Sequence, residues 1–311
     1  MRGGDGRASI IIPVLISARD DYETGILLDA NENSFGTPLA PSSLGQWPAE
    51  LERYPDPHQK DLKALIGAFR GVQPGNIFVG VGSDESIDLL IRVFCVPGRD
   101  SILVSPPTYG MYKVAAATND VGVVAVPLTP AFDIEADKII QATKDNAAIK
   151  LVFVCTPNNP AAKDVQHAHI VRLLQGITSA VVVVDEAYVD FSELPSMAPL
   201  VNTYPNLVVL QTLSKSFGLA GIRLGTSFGS PELIAVLNKV KAPYNVNKLT
   251  QALGTCCYCF QPVRFADPHY SDQGLQPRGH PANEGQRRRH QGRARMAHGP
   301  DRQRARRSRR V

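Results

Sequence analysis

Val181-Val182-Val183-Val184-Asp185-Glu186-Ala187-Tyr188 sets four β-branched residues directly ahead of two carboxylates. Valine suits extended backbone, and an apolar run that does not alternate with polar residues reads as a strand covered on both faces. Such strands belong to parallel sheets, which need helices on each side. Asp185 then ends its strand at the edge where open α/β sheets receive ligands. A carboxylate there can pair with a protonated ring nitrogen, and the Tyr188 hydroxyl can hydrogen-bond an oxygen on the same ring. The plainer alternatives are a helix cap for Asp185 and a core aromatic for Tyr188.

Downstream, Leu213-Ser214-Lys215-Ser216-Phe217-Gly218-Leu219-Ala220-Gly221-Ile222-Arg223 follows another apolar run, Leu207 to Leu210. Its lysine sits in a turn of small residues that lets a flat ring approach the backbone. A lysine that attacks a carbonyl must be neutral, which burial and a neighbouring cation favour, and Arg223 is the candidate cation. A solvated loop lysine is the alternative. Lysine, strand-end acid and phenol together meet the needs of pyridoxal phosphate, whose ring nitrogen wants an acidic partner and whose aldehyde wants an amine.

Upstream, a strand at Ile77-Phe78-Val79 runs into Gly80-Val81-Gly82-Ser83-Asp84-Glu85 and then a helix carrying Ile87, Leu90, Ile91 and Phe94 on one face. The glycines let the backbone pass close to a ligand, Ser83 is expected to cap the helix, and the helix start offers unpaired N–H groups to an anion. The backbone of Ser83 and Asp84 is therefore the expected seat of the cofactor phosphate, with a plain capped helix as the alternative. The spacing fits neither a Walker loop nor a dinucleotide fingerprint, which argues against ATP and NAD. Ser101 to Val104 leads to Tyr109, placed to stack on a pyridine ring, whereas Tyr112 reads as a packing residue of the next helix. Further strands are expected at Val121 to Val126 and Leu151 to Cys155, and helices at His58 to Arg70, Asp133 to Ala142, Val165 to Leu174 and Pro231 to Lys241. His167 and His169 read as surface residues, and no metal site is expected. Alternation of strands and helices from about 76 to 228 predicts an α/β fold with a mostly parallel sheet covered by helices.

In these residues the chain resembles the fold-type I aminotransferases that use pyridoxal phosphate. Leu28-Asp29-Ala30-Asn31-Glu32-Asn33, Arg53-Tyr54-Pro55-Asp56-Pro57 and Pro107-Thr108-Tyr109-Gly110-Met111-Tyr112 narrow the resemblance to the histidinol-phosphate aminotransferase family, over about residues 20 to 252. The resemblance implies that Lys215 holds the cofactor and acts as the base, and that Asp185 keeps its ring nitrogen protonated. It implies that Thr212, Ser214 and Arg223 join Ser83 and Asp84 around the phosphate, and that Asn159 donates to the ring oxygen. By the same resemblance Tyr54 reaches the phosphate of a neighbouring subunit, which implies a homodimer. An arm carrying Asn31 and Glu32 is implied to lie over the site and meet the substrate, with an Asx turn as the other reading. The family carries Asn-Pro-Thr-Gly where this chain reads Asn159-Pro160-Ala161-Ala162. The implied reaction is reversible: histidinol phosphate and 2-oxoglutarate give imidazole-acetol phosphate and glutamate, a step of histidine biosynthesis. Another fold-type I enzyme, such as an aromatic aminotransferase or a phosphate-ester decarboxylase, is the second reading.

At 311 residues and 43% apolar, the chain is long enough for about two domains with a sizeable core. The expected organisation is an N-terminal arm over residues 1–50, a large cofactor-binding domain over 51–252, and a disordered Arg-rich tail over 253–311. Residues 255–311 hold 13 Arg and 4 acidic residues with few aliphatics, too little apolar surface to order a chain. A small domain with substrate-holding arginines is implied in the family at this place, so it reads as missing or replaced. The tail reads as translation in a wrong frame, or as a nucleic-acid arm on an inactive fragment; scarce aromatics argue against nucleic acid. Such a chain is expected to turn over poorly. Ile10 to Ile16 reads as part of the arm and not a signal peptide because Pro13 interrupts it, and no apolar run approaches the ~20 residues needed to span a bilayer. Five cysteines without paired zinc-site spacing read as free thiols, so a cytoplasmic enzyme is expected.

Overall fold

Seven strands form one sheet in the order β1-β7-β6-β5-β4-β2-β3. They are β1 (Ile77–Val81), β2 (Ser101–Val104), β3 (Gly122–Ala125), β4 (Ile149–Cys155), β5 (Val181–Asp185), β6 (Leu207–Thr212) and β7 (Leu224–Phe228). The computed structural model describes residues 30–33, 36–37 and 51–260. The segment Ile10 to Ile16, most of the expected arm and residues 261–311 of the expected tail lie outside the described residues. Strands β2 to β6 pair parallel, whereas β7 is antiparallel to both β6 and β1. The start of β7 therefore shares an edge with the ends of the other six. Its register, Leu224 against Val81 and Gly225 against Thr212, puts Arg223 beside the ends of β1 and β6.

Helices cover both faces: α1 (Lys60–Arg70), α2 (Gly82–Phe94), α3 (Met111–Thr118), α4 (Ala136–Asp145), α5 (His167–Gly176), α6 (Pro231–Val240) and α7 (Lys248–Phe260). The valines of β5 show why a continuous apolar run was needed. Val182 and Val184 join a core with Leu62 of α1 and Leu173 of α5. Val183 joins the opposite core with Leu90 of α2, Tyr112 of α3 and Leu237 of α6. All three valines are 0% exposed.

Four expectations need correction. The helix expected from Asp133 to Ala142 is α4, running from Ala136 to Asp145, because the Asp133 carbonyl is taken by the Thr129 N–H at 2.8 Å in the preceding turn. Ser83 does not cap a helix: α2 begins at Gly82, whose left-handed φ of 70° turns the strand straight into the helix. Val81 holds the capping position, and the Glu85 carboxylate accepts its N–H at 2.6 Å. The helix expected from Val165 starts at His167 because Gln166 is still extended, with φ −61° and ψ 135°. Most consequentially, the boundary at 252 falls inside α7, so residues 253–260 belong to the folded body and not to a disordered tail. Cys257 and Tyr258 are buried against the core, with Tyr258 edge-on to Phe69 of α1 at 5.6 Å. A Cβ on Gly254 would lie 2.5 Å from Leu224, so the glycine allows this helix to approach the sheet. Glycine, cysteine and tyrosine build a stripe that an aliphatic pattern does not display.

Replacing Tyr258 with Ala should therefore lower stability by about 3 kcal/mol, the scale of an aromatic-to-alanine cavity. Urea unfolding measures it; a loss near zero would show that the last turns of α7 do not pack.

Candidate active site

At the shared strand edge lies a cavity of about 510 Å³. Of the thirteen expected site residues, eleven line it: Asn31, Ser83, Asp84, Tyr109, Asn159, Asp185, Tyr188, Thr212, Ser214, Lys215 and Arg223. The other two do not. Glu32 is exposed beside it, and Tyr54, 78% exposed, stacks on Tyr244 at 4.4 Å in a separate groove with Arg53 and Lys248.

Lys215 projects from a turn that two backbone bonds close, Leu219 N–H to Leu213 O at 3.1 Å and Gly218 N–H to Lys215 O at 3.0 Å. Gly218 has φ of 60°, and a Cβ there would strike the carbonyl of Gly36. The turn is anchored to α1 through Ser216, whose hydroxyl donates to Asp190 at 2.8 Å, and Asp190 pairs with Arg70 at 2.6 Å. Lys215 Nζ donates to the Ala30 carbonyl at 2.8 Å. Burial lowers its pKa and the charge of Arg223 acts in the same direction, while Asp84, Glu32 and Asp185 oppose them. The amine is thereby moved toward the neutral form that a nucleophile needs.

Residues of the N-terminal segment close one side. Asn31 donates to the Tyr188 hydroxyl at 3.1 Å and Asn33 to the Ser216 carbonyl at 3.1 Å. The Tyr188 ring centroid lies 5.5 Å from Lys215 Nζ.

Asp185 is 2% exposed at the end of β5. The Ala187 N–H donates to its Oδ1 at 3.1 Å and the Tyr112 hydroxyl to its Oδ2 at 2.6 Å. Burial pushes the carboxyl up to about 6, and those two hydrogen bonds act against that rise. Tyr112, read from the sequence as a packing residue, thus also touches the site. The available signal was chemical: a buried tyrosine must find a partner for its hydroxyl. Cys155, at the end of β4, also lines the cavity, and burial pushes its thiol up to about 12.

The start of α2, two hydroxyls and a guanidinium form the anion-binding side. Arg223 Nη1 donates to the Ser214 hydroxyl at 3.3 Å, and the Thr212 hydroxyl donates to the same oxygen at 2.9 Å. Asp84 enters through its side chain: it accepts from Arg223 Nη2 at 3.3 Å and from the Tyr109 hydroxyl at 3.1 Å. A Cβ on Gly225 would strike the backbone of Gly82 and Ser83, so only glycine lets β7 pass the helix start. Helix N–H groups, hydroxyls and arginine suit a dianionic phosphate, Tyr109 offers a ring face, Asp185 suits a protonated pyridine nitrogen and Lys215 suits an aldehyde. The donor set fits pyridoxal phosphate. Among the described residues there is no cluster of three or more His, Cys, Asp or Glu suited to a metal. His169 lies 3.4 Å from Asp133 and does not line this cavity.

The sequence pattern of the family described as aminotransferase class I and II matches residues 23–259. The chain belongs to the class I and II aminotransferases. Its relatives within that class include the histidinol-phosphate aminotransferase of Cytophaga hutchinsonii, 50% identical over 237 residues that cover 76% of this chain and 65% of the relative. That of Candida maltosa is 49% identical over 263 residues, covering 78% and 68%. The chain thus spans about two thirds of the length of these relatives. A crystal structure of histidinol-phosphate aminotransferase from Sinorhizobium meliloti in complex with pyridoxal-5'-phosphate superposes with a TM-score of 0.69 at 26% identity, covering 75% of this chain and 64% of that one.

Asn159 lines the cavity from a loop that ends at Ala162. Ala162 has φ of 52°, and its N–H closes the loop onto the Asn158 carbonyl at 2.7 Å. A residue with a Cβ costs about 1–2 kcal/mol in this left-handed region. Ala162→Gly is therefore expected to stabilise the protein by about 1 kcal/mol in denaturant unfolding; a destabilised variant would contradict the strained loop.

Proposed function

We propose that this chain is a pyridoxal-phosphate-dependent aminotransferase that moves the amino group of histidinol phosphate to 2-oxoglutarate, as a cytoplasmic enzyme of histidine biosynthesis. The observation that carries the proposal is the convergence of Lys215, Asp185 and Arg223 on one cavity at the strand ends. The names of the relatives and the cofactor of the Sinorhizobium meliloti structure support the choice of substrate and cofactor. A homodimer is part of the proposal, because Tyr54 lies outside the cavity with its ring exposed, as a residue serving a neighbouring subunit would.

The bound cofactor supplies an electron sink for the pair released when the substrate's Cα–H bond breaks. Everything else is the work of this chain. Thr212, Ser214, Arg223 and the first-turn N–H groups at Ser83 and Asp84 would hold the phosphate, and Tyr109 would offer its ring face to the pyridine ring. Asp185 would keep the ring nitrogen protonated, and Asn159 and Tyr188 would hydrogen-bond the ring oxygen. The Lys215 amine would hold the cofactor by its aldehyde end and, when freed, would serve as the base that moves the substrate Cα proton. Asn31 and Glu32, on the segment beside Lys215, meet the substrate. Residues 261–311 of the region where the resemblance implies a small domain with substrate-holding arginines lie outside the described residues, and none of those arginines is assigned in this chain.

Borohydride reduction of the cofactor-loaded protein followed by peptide mapping should label Lys215, and mixing with histidinol phosphate should convert the bound chromophore faster than phenylalanine does. Label on another lysine, or equal rates with both amines, would overturn the assignment of residue or of substrate. Asp185→Ala should reduce kcat by at least about 100-fold, the scale of losing one preorganised electrostatic group, with a smaller loss of cofactor affinity. Near-normal turnover in that variant would refute the role given to the carboxylate.

A further inference from the structure

The geometry points to Tyr112 as a positioning residue for Asp185: a buried phenol that sets the orientation of the carboxylate and keeps it anionic. It rests on the cofactor reading above only in what Asp185 is then used for.

Tyr112 lies in the first turn of α3 and is 0% exposed. Its ring is stacked on Phe153 of β4, centroids 4.6 Å apart at 19°, and meets the edge of Tyr109 at 5.6 Å and 87°. Phenylalanine would fill that space without a buried hydroxyl to satisfy, so packing explains the ring and not the oxygen. The oxygen donates to Asp185 Oδ2 at 2.6 Å, in the short range of hydrogen bonds to an ionised acceptor. Together with the Ala187 N–H on Oδ1, it places one protein donor on each carboxylate oxygen. Rotation of the carboxylate is thereby arrested, and its remaining lone pairs are left for a donor in the cavity that Asp185 lines.

The same bond works on charge. A carboxylate buried at a strand end loses its hydration, and burial is the largest influence raising Asp185. Seven groups face it, among them the Tyr109 and Tyr188 phenols, whose own pKa values are raised by burial and, in part, by the Asp185 charge. Tyr112 from α3 and the Ala187 N–H from the following loop favour the ionised form through hydrogen bonds, Lys215 favours it through charge, and Asp84 from α2 opposes it. Cys155, paired with Asp185 in the β4–β5 register, stays a neutral thiol because its own pKa is pushed up to about 12. Tyr112 itself is raised well above the usual phenol value, so it remains a donor throughout the working range. It is the side chain that hydrogen-bonds the carboxylate among the described residues.

Two replacements at 112 in the full chain test this. The infrared carbonyl band of the Asp185 carboxyl, assigned by its loss in Asp185→Asn, is titrated in cofactor-free protein. Tyr112→Phe should move the midpoint up by about one pH unit, the worth of one hydrogen bond to a charged group. Incorporation of 3-fluorotyrosine at 112, which keeps the shape and makes the phenol a stronger donor, should move it down. In cofactor-loaded protein, Tyr112→Phe should lower kcat about tenfold with KM unchanged and shift the acid limb of the pH profile upward. A midpoint that ignores both replacements, or that moves the same way with both, overturns the inference. Should the wild type fail to take up pyridoxal phosphate while the titration still follows residue 112, the cofactor reading fails and the positioning of Asp185 stands.

Discussion

A carboxylate buried from solvent is unstable unless donors replace the hydration it has lost, and Asp185, 2% exposed, is such a group. Its strand is apolar on both faces, so the chain can bring it to the sheet edge only by burying it. The neighbouring elements then follow a single requirement. Helix α3 must present Tyr112 to one oxygen, and the loop after β5 must fold back so that the Ala187 N–H meets the other. Phe153 holds the Tyr112 ring, and Tyr109 stands against its edge. The polar centre and the apolar core are therefore one construction.

A second constraint is directional. Six strands end at the edge where the cavity lies, and β7, running against them, begins there. That reversal brings a cation to the helix start without a long loop. It also demands glycine at 225, where a Cβ would strike the backbone of the helix start, and favours it at 82, where φ is 70° and a Cβ would meet the Arg223 guanidinium. The lysine turn is tied separately, through Ser216 to the Asp190–Arg70 pair, whose side chains are about one-tenth exposed. Buried ion pairs of this kind contribute little net stability, but removing one partner leaves an uncompensated charge in the interior. The pair thus makes the position of the turn intolerant of change.

Much of this was legible in the residues themselves. Strands announced themselves because they are continuous apolar runs, and the strand-end residues Ser83, Tyr109, Asn159, Asp185 and Lys215 all reached one cavity. The losses share a cause. Which partner Tyr112 finds depends on how α3 crosses the sheet, and sequence spacing carries no information about that crossing. Ser83 failed as a cap because a positive φ at Gly82 removes the loop in which it would have capped. The helix past residue 252 was missed because Gly254, Cys257 and Tyr258 pack as well as aliphatics without looking like them. The role of the Asp84 side chain was hidden because the helix start was read for its backbone alone.

That last carboxylate has a consequence for which anions the site admits. Asp84 already holds Arg223 and the Tyr109 hydroxyl, so the guanidinium is not an open invitation to any passing ion. Whatever enters must outcompete a tethered carboxylate that loses no translational freedom by staying. A doubly charged group that also takes the helix N–H groups and the hydroxyls of Ser214 and Thr212 can win that exchange. The pair, between one residue at the start of a helix and one at the start of a reversed strand, has side chains 46% and 39% exposed and so is weak enough to be exchanged for such a group.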